Sequence, residues 1–314
     1  MVYCTGISLW ATVGSALNFL SMEYFATVAR SSSITSAATE LHITQQTLSA
    51  HISSLEKELG CKLLERKTPL ELTYAGQLFL RYAQNFNGEL RALKADFADI
   101  AGNQKGRLRI GVAHTRGFVT LPPVIQAMRA EFLGVQLELV EETNGNLLEL
   151  LQKGAVDVFV GRVTDQLPGF TVEPFYNEEM VMLVPKEMGI DPSLPGEEAL
   201  AQLGKAPFIL CAPSDIVGRM GRMLMRRAGL RQDAAVSSGN SETMLALCAR
   251  GVGVCFCPLV QVENAQSSGV LEHASVFHFA ADTVYPISFA YKEGAASWSV
   301  LARFMSIARE AVEG

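Results

Sequence analysis

Between residues 44 and 53 the chain places Thr44, Gln45, Gln46, Ser49, His51 and Ser53 around the apolar Leu48 and Ile52. Side chains of these types donate and accept hydrogen bonds, the capacity needed to read base edges in the major groove of duplex DNA. An ordinary helical hairpin with a solvated face has the same spacing, so these residues alone leave both readings open. A second constellation lies in the C-terminal half. His114, Thr115 and Arg116 follow one apolar run, Thr143 and Asn144 follow the next, and Arg162 ends a third. Ser238, Asn240 and Ser241 precede a helical pattern further on. Helix N-termini bearing hydroxyls, together with an arginine, suit a small anion and a carboxylate in particular. Each residue taken singly is equally explained by loop capping or exposure. Their convergence carries the expectation of a ligand.

Catalytic signatures are missing. The chain has no G-x-S-x-G, no P-loop and no H-E-x-x-H, and Gly251-Val252-Gly253 lacks the third glycine of a dinucleotide fingerprint. The five histidines (His42, His51, His114, His273, His278) show no metal-ligand spacing. The expectation is therefore a protein that is not an enzyme and takes no cofactor or metal. Six cysteines are scattered (Cys4, Cys61, Cys211, Cys248, Cys255, Cys257), and Cys255 and Cys257 are too close for a Cys-x-x-Cys pair. They read as small buried hydrophobes in a reducing compartment.

The elements that would hold these residues follow from periodicity. Phe19, Leu20, Tyr24, Phe25 and Val28 predict a helix from Asn18 to about Arg30, and Ser31-Ser32-Ser33 breaks it. A short helix follows over about Ile34–Leu41, with Ala37 and Ala38 at a close crossing. Thr44 caps a third helix, in which Leu48, Ile52, Leu55 and Leu59 make a buried stripe and Gly60 is the stop. Two short helices joined by a tight turn describe a helix-turn-helix. From Tyr74 to about Ala101, the residues Leu78, Tyr82, Phe86, Leu90, Leu93, Phe97 and Ile100 recur at heptad-like spacing. Such a helix is about 42 Å long and needs a partner for its stripe, either its own domain or a second copy. Gly102 to Gly106 reads as a hinge. Beyond it, strands at Arg107–Ala113, Val135–Glu141 and Val156–Arg162 alternate with helices at Pro122–Phe132 and Asn146–Lys153, the pattern of a parallel sheet. Strands near Met180–Val184, Phe208–Cys211 and Val252–Cys257 with helices at Ser214–Ala228 and Ser241–Ala249 form a second unit. A strand at Ile287–Tyr291 and a helix at Trp298–Val312 return to the first.

Length and composition agree with two or three soluble domains. The 314 residues are 49% hydrophobic and 18% charged, with a net charge of −6. Residues 17–75 carry five basic side chains (Arg30, Lys57, Lys62, Arg66, Lys67) and six acidic ones (Glu23, Glu40, Glu56, Glu58, Glu65, Glu71), a net of −1. That balance predicts weak nonspecific affinity for DNA and reliance on avidity. Residues 1–25 are apolar but have no basic n-region and no membrane-length run, so the expected location is the cytoplasm, with no membrane partner.

The stretch 22–80 resembles the DNA-binding domain of LysR-type transcriptional regulators. The residues that carry the resemblance are Phe25, Ser33, Ala37, Ala38, Leu41, Gln45, Leu48, Ser49, Ile52, Leu55, Glu56, Leu59, Gly60, Leu63, Glu65, Arg66, Leu72, Thr73 and Gly76. The segment 237–258, "SSGNSETMLALCARGVGVCFCP", is similar to the family's sensing domain. The resemblance implies an all-α winged helix-turn-helix N-terminal domain plus an α/β periplasmic-binding-protein-like, two-lobed C-terminal domain. The implied limits are an N-terminal extension at 1–16, a DNA-binding domain at 17–75, a dimerisation helix at 76–101 and an effector-binding domain at 106–314. Lobe 1 of that domain would take about 106–163 and 270–314, and lobe 2 about 164–269. Lys62 to Thr73 would be the wing, turning at Lys67-Thr68-Pro69. The implied DNA contacts are Ser33, Thr35, Thr44, Gln45, Gln46, Ser49, His51 and Ser53, with Arg66 and Lys67 on phosphates or in the minor groove. Leu78, Tyr82, Phe86, Leu90, Leu93 and Phe97 would pair antiparallel with a second copy. The implied partners are a pseudo-palindromic operator in double-stranded DNA, a small-molecule effector (an organic anion) and further copies in a homodimer or homotetramer. RNA polymerase is a further candidate partner. Two positions depart from the family pattern. Gln46-Thr47 stands where Pro-Ala is frequent, and Ala50 where a basic or polar residue is common.

Overall fold

Three capped helices open the described part of the chain in the computed structural model, which describes residues 16–65, 67, 69–100, 106–163, 166–266, 270–280 and 283–313. The expected extension (all but residue 16), the contact residue Arg66 and residues 102–105 of the hinge lie outside the described residues. The chain divides into two compact units, with the main break between Ala95 and Asp96.

In the first unit, Asn18, Ser33 and Thr44 cap α1 (Phe19–Ser31), α2 (Ile34–Glu40) and α3 (Gln45–Leu59), their side chains accepting from the amides of Ser21, Ser36 and Thr47. Each cap satisfies one of the amides a helix start leaves unpaired. Gly60 ends α3 at φ 67°, in the left-handed region. Phe25, Val28, Ala37, Leu48, Ile52 and Leu55 form the common core. Strands β1 (Leu64–Glu65) and β2 (Glu71–Leu72) pair antiparallel as a small hairpin. The helix α4 (Tyr74–Ile100) follows, capped by Thr73, whose hydroxyl accepts from the Gly76 amide and donates to the Lys62 carbonyl. Phe79 and Ala83 turn one side of α4 into the same core.

The second unit begins with β3 (Gly106–Val112), α5 (His114–Val119), α6 (Leu121–Glu131), β4 (Val135–Glu141), α7 (Asn144–Gln152) and β5 (Val158–Gly161). A 16-residue strand, β6 (Phe170–Pro185), then leads to α8 (Gly196–Ala201), β7 (Phe208–Leu210), α9 (Ile216–Arg227), β8 (Val236–Ser237), α10 (Ser241–Cys248), β9 (Val254–Pro258) and α11 (Leu259–Gln266). The chain closes with β10 (Ala274–Phe277), β11 (Val284–Lys292) and α12 (Ser299–Glu313). Strand order is β4-β3-β5-β11-β6-β9-β7-β8, with β10 also on β6.

Two lobes share that path. β4, β3 and β5 are parallel, and β11 joins β5 antiparallel. The first half of β6 pairs with β11, while its second half pairs with β9 and β10 in the other lobe. Strand β6 therefore crosses between lobes, and the chain returns to the first lobe in β11. The second lobe's core contains Cys211, Cys248, Cys255 and Cys257, all buried. Burial is the chief reason the Cys211 thiol is pushed up to about 12, so it stays protonated at neutral pH.

Three sequence expectations change. The strand expected at Met180–Val184 starts ten residues earlier, because Pro174, which would interrupt a central strand, sits at a register shift opposite Ile287/Ser288. The strand expected at Val156–Arg162 is only Val158–Gly161. His114, Thr115 and Arg116, placed after the first strand in a stretch for which no element was expected, form the first turn of α5.

Candidate functional sites

The polar face of α3 is exposed at Thr44, Gln45, Gln46 and Ser53 and half-buried at Ser49, while Leu48, Ile52 and Leu55 lie beneath it. Two of the expected contact residues also hold the helices together. Ser33 caps α2, and the Thr35 hydroxyl donates to the Gln45 side-chain oxygen at 3.2 Å, tying α2 to α3. His51 packs edge-on against Tyr24 with ring centroids 5.0 Å apart, so part of it faces α1. Ala50 leaves an exposed gap in the face.

The hairpin is anchored by a residue whose role the sequence reading missed. Glu56, 6% exposed, accepts from the amides of Leu63 at 2.9 Å and Leu64 at 3.3 Å and pairs with Lys62. Burial alone would raise its carboxyl, but Lys62 and the two amides outweigh that and hold it below the usual carboxylate range. At the hairpin tip Lys67 sits 2.6 Å from Glu65 and 3.4 Å from Glu71, and the Glu65 pairing holds its ammonium above the ordinary lysine value.

Along α4, Leu78, Tyr82, Phe86, Leu93 and Phe97 are exposed, with Phe97 reaching 63%, and Leu90 is half-buried. This row is offset from the Phe79 and Ala83 side that meets the core.

In the second unit a cavity of about 400 Å³ opens between the lobes. Its walls bring together His114, Thr115, Arg116, Thr143, Asn144, Asn240 and Ser241 of the expected set. Two expected residues do not line it. Ser238 shapes the turn before α10, its hydroxyl donating to the Asn240 carbonyl and accepting from its amide. Arg162 is half-buried, with its Nε buried and unpartnered. Across the cavity the Thr115 and Ser241 hydroxyls meet at 2.7 Å, one from each lobe. Asn240 caps α10 by accepting from the Thr243 amide.

The electrostatics differ from what the sequence implied. Arg116 is 5% exposed and pairs at 2.7 Å with Glu178, itself 2% exposed on β6. Tyr176 donates to the same carboxylate at 2.9 Å, and Tyr285 donates to it as well. Burial would lower the guanidinium, and the Glu178 charge overcomes this and raises it. Three carboxylates that periodicity did not mark, Glu141, Glu142 and Asp215, also line the cavity. Glu141 lies 3.4 Å from His114 Nδ1, Glu142 accepts from the Asn146 amide group, and Asp215 caps α9. Among the described residues no cluster of three or more His, Cys, Asp or Glu side chains could hold a metal. None of their helices is long and apolar enough to cross a membrane.

A winged helix-turn-helix in one unit and a two-lobed receptor fold with an interlobe cavity in the other define a ligand-responsive DNA-binding protein. The family described as bacterial regulatory helix-turn-helix protein, lysR family, matches residues 19–77, and the LysR substrate binding domain matches 101–313. The chain belongs to the LysR family of transcriptional regulators, which are not enzymes. Among its relatives is a Bacillus subtilis protein described as the uncharacterized HTH-type transcriptional regulator YcgK, 30% identical over 80% of this chain and 82% of that one. The HTH-type transcriptional regulator CatR of Pseudomonas putida is 29% identical over 92% of this chain and 98% of its own. In fold, the chain is similar to full-length OxyR of Pseudomonas aeruginosa, solved as a single-residue variant, with a TM-score of 0.72, 21% identity and 95% of each chain covered. Regulators of this family bind operator DNA and small-molecule effectors and assemble as oligomers.

Proposed function

We propose that this regulator reads its operator through Thr44, Gln45, Gln46, Ser49 and Ser53, with Lys67 and Arg66 contacting the backbone, and answers to a small polar effector in the interlobe cavity. The observation that carries the reading is the exposed polar face of α3, backed by the buried Leu48, Ile52 and Leu55, whereas Leu59, expected in the same stripe, is exposed at the end of the helix. Such a helix is presented rather than buried, and its side chains match the donor and acceptor pattern of base edges. The apolar row on α4 supports pairing with a second copy, which would set two recognition helices on a pseudo-palindromic site. We place the DNA-binding domain at residues 17–75, the dimerisation helix at 76–101 and the effector domain from 106, and the protein in the cytoplasm with RNA polymerase as a later partner.

The test is electrophoretic retardation of the DNA upstream of the protein's own coding sequence. Retardation should weaken steeply with salt. Gln46→Ala should reduce specific affinity by roughly tenfold, as expected for a lost base contact, and leave the melting temperature nearly unchanged. Adding Gln45→Ala should weaken binding further and also cost the Thr35 tie between α2 and α3, about 1 kcal/mol of stability. Specific binding undiminished in the double variant would overturn the assignment of α3 as the reading element.

A further inference from the structure

We propose that Glu178, with Arg116, Tyr176 and Tyr285, locks the interlobe hinge. The quartet pins the first turn of α5 to the two crossing strands and so fixes the lobe arrangement in which Thr115 meets Ser241. The inference concerns the hinge and holds whatever molecule the cavity takes.

Strands β6 and β11 join the lobes, and their ladder runs from the Phe170–Lys292 pair to the Glu179–Val284 pair. The next residue, Met180, pairs instead with Pro258 on β9 of the second lobe, and its amide donates to the Thr283 carbonyl at 2.8 Å. Glu178 and Tyr285 stand opposite each other one rung before this change of partner. The carboxylate therefore sits at the pivot. Its Oε1 accepts from Tyr176 at 2.9 Å, and its Oε2 accepts from Arg116 at 2.7 Å and from Tyr285. Three elements, α5, β6 and β11, are thus tied to one buried side chain. Thr115, beside Arg116 in the same turn of α5, reaches the opposite lobe, its hydroxyl 2.7 Å from that of Ser241. Helix α5 also packs on α11, which follows β9. One turn of helix is held at both the second lobe and the pivot.

Stability alone does not account for such a quartet. Desolvating two charges costs about as much as their attraction returns, and apolar side chains of similar volume hold a core as well. What the charges add is direction. Turning a lobe about the crossing strands draws donors away from a carboxylate that is shut off from solvent, so intermediate lobe angles are penalised. The arrangement in which the two hydroxyls meet is then a discrete state, and a shift of the first turn of α5 passes to the strands that carry the second lobe.

The test traps the lobe contact in the full-length protein. Thr115→Cys and Ser241→Cys are introduced together with Cys4→Ser and Cys61→Ser, while Cys211, Cys248, Cys255 and Cys257 are buried. Diamide then oxidises the new thiol pair to a disulfide and is itself reduced to the hydrazine. The cross-linking rate reads how often the two positions meet. Tyr285→Phe removes one hydrogen bond to a charged group, so cross-linking should slow roughly tenfold. A second variant makes the quartet apolar, with Arg116→Met, Glu178→Leu, Tyr176→Phe and Tyr285→Phe. Its melting midpoint should stay near that of the parent, while its cross-linking slows at least as much as in Tyr285→Phe. A merely structural role would not separate the two readouts. Cross-linking at the parent rate in either variant would overturn the inference. Loss of the fold in the apolar variant would overturn it as well, because the quartet would then be a support for the core and nothing more.

Discussion

A carboxylate as enclosed as Glu56 survives only with partners, and its partners are the two amides that begin the hairpin strand, with Lys62 at the side. Glu56→Ala leaves both amides buried without an acceptor, so it should cost about 2–3 kcal/mol of stability by urea unfolding. The pH dependence has a definite sign. The folded carboxyl is held below its unfolded value, so its stabilisation is present above the unfolded carboxylate range and disappears as pH falls through the folded value. Wild-type stability should therefore drop in acid more steeply than that of Glu56→Gln, which has no proton to take up there. Parallel acid profiles for the two proteins would rule out the ionised anchor. Residues of this kind mark the limit of what the sequence discloses. Glu56 was visible as a family position but not as the hairpin's anchor. Arg116 was visible as an arginine beside a strand end, but Glu178 lies 62 residues away. Nothing in local periodicity pairs residues at that separation, so the sequence showed an available cation where the fold has a neutralised one.

Elements were far more legible than contacts wherever a cap or a stripe specified them. Asn18, Ser33, Thr44 and Gly60 punctuate α1 to α3 where their side chains and backbone demand, and α4 spans almost the whole length its apolar row implied. The elements that escaped, such as α5 and the outer half of β6, depend on tertiary neighbours that override a weak or proline-broken pattern. Gly76 shows how one residue can fix the relation between two elements. A Cβ there would stand 2.0 Å from the Leu63 carbonyl oxygen, a backbone atom that the first turn of α4 passes closely. Because backbone cannot swing aside as a side chain can, Gly76→Ala should force α4 off the hairpin and lower stability by roughly 3 kcal/mol, near the upper part of the usual range for single substitutions. Circular dichroism melts would check this, and a melting temperature equal to wild type would show that the crossing has slack.

For the whole molecule, charge and assembly are linked. A net of −1 over residues 17–75, with Lys67 held between two glutamates, gives a single DNA-binding domain little purchase on phosphate. Two domains held together would bind the second half-site as an intramolecular event, multiplying affinity without any new contact. The exposed row on α4 supplies the means, because five large apolar side chains left in water on one helix are more than a solvated helix would keep without a partner. Phe86→Glu with Leu93→Glu places two charges in that row and leaves the Phe79 and Ala83 side against the core intact. The variant should sediment as a monomer at concentrations where the wild type is a dimer or larger. Its operator affinity should fall by on the order of a hundredfold, while its melting profile for the effector domain and its response to a cavity ligand persist. A variant that remained oligomeric, or a monomer that bound the operator as tightly as wild type, would show that avidity through α4 does not compensate for the weak charge of the reading domain.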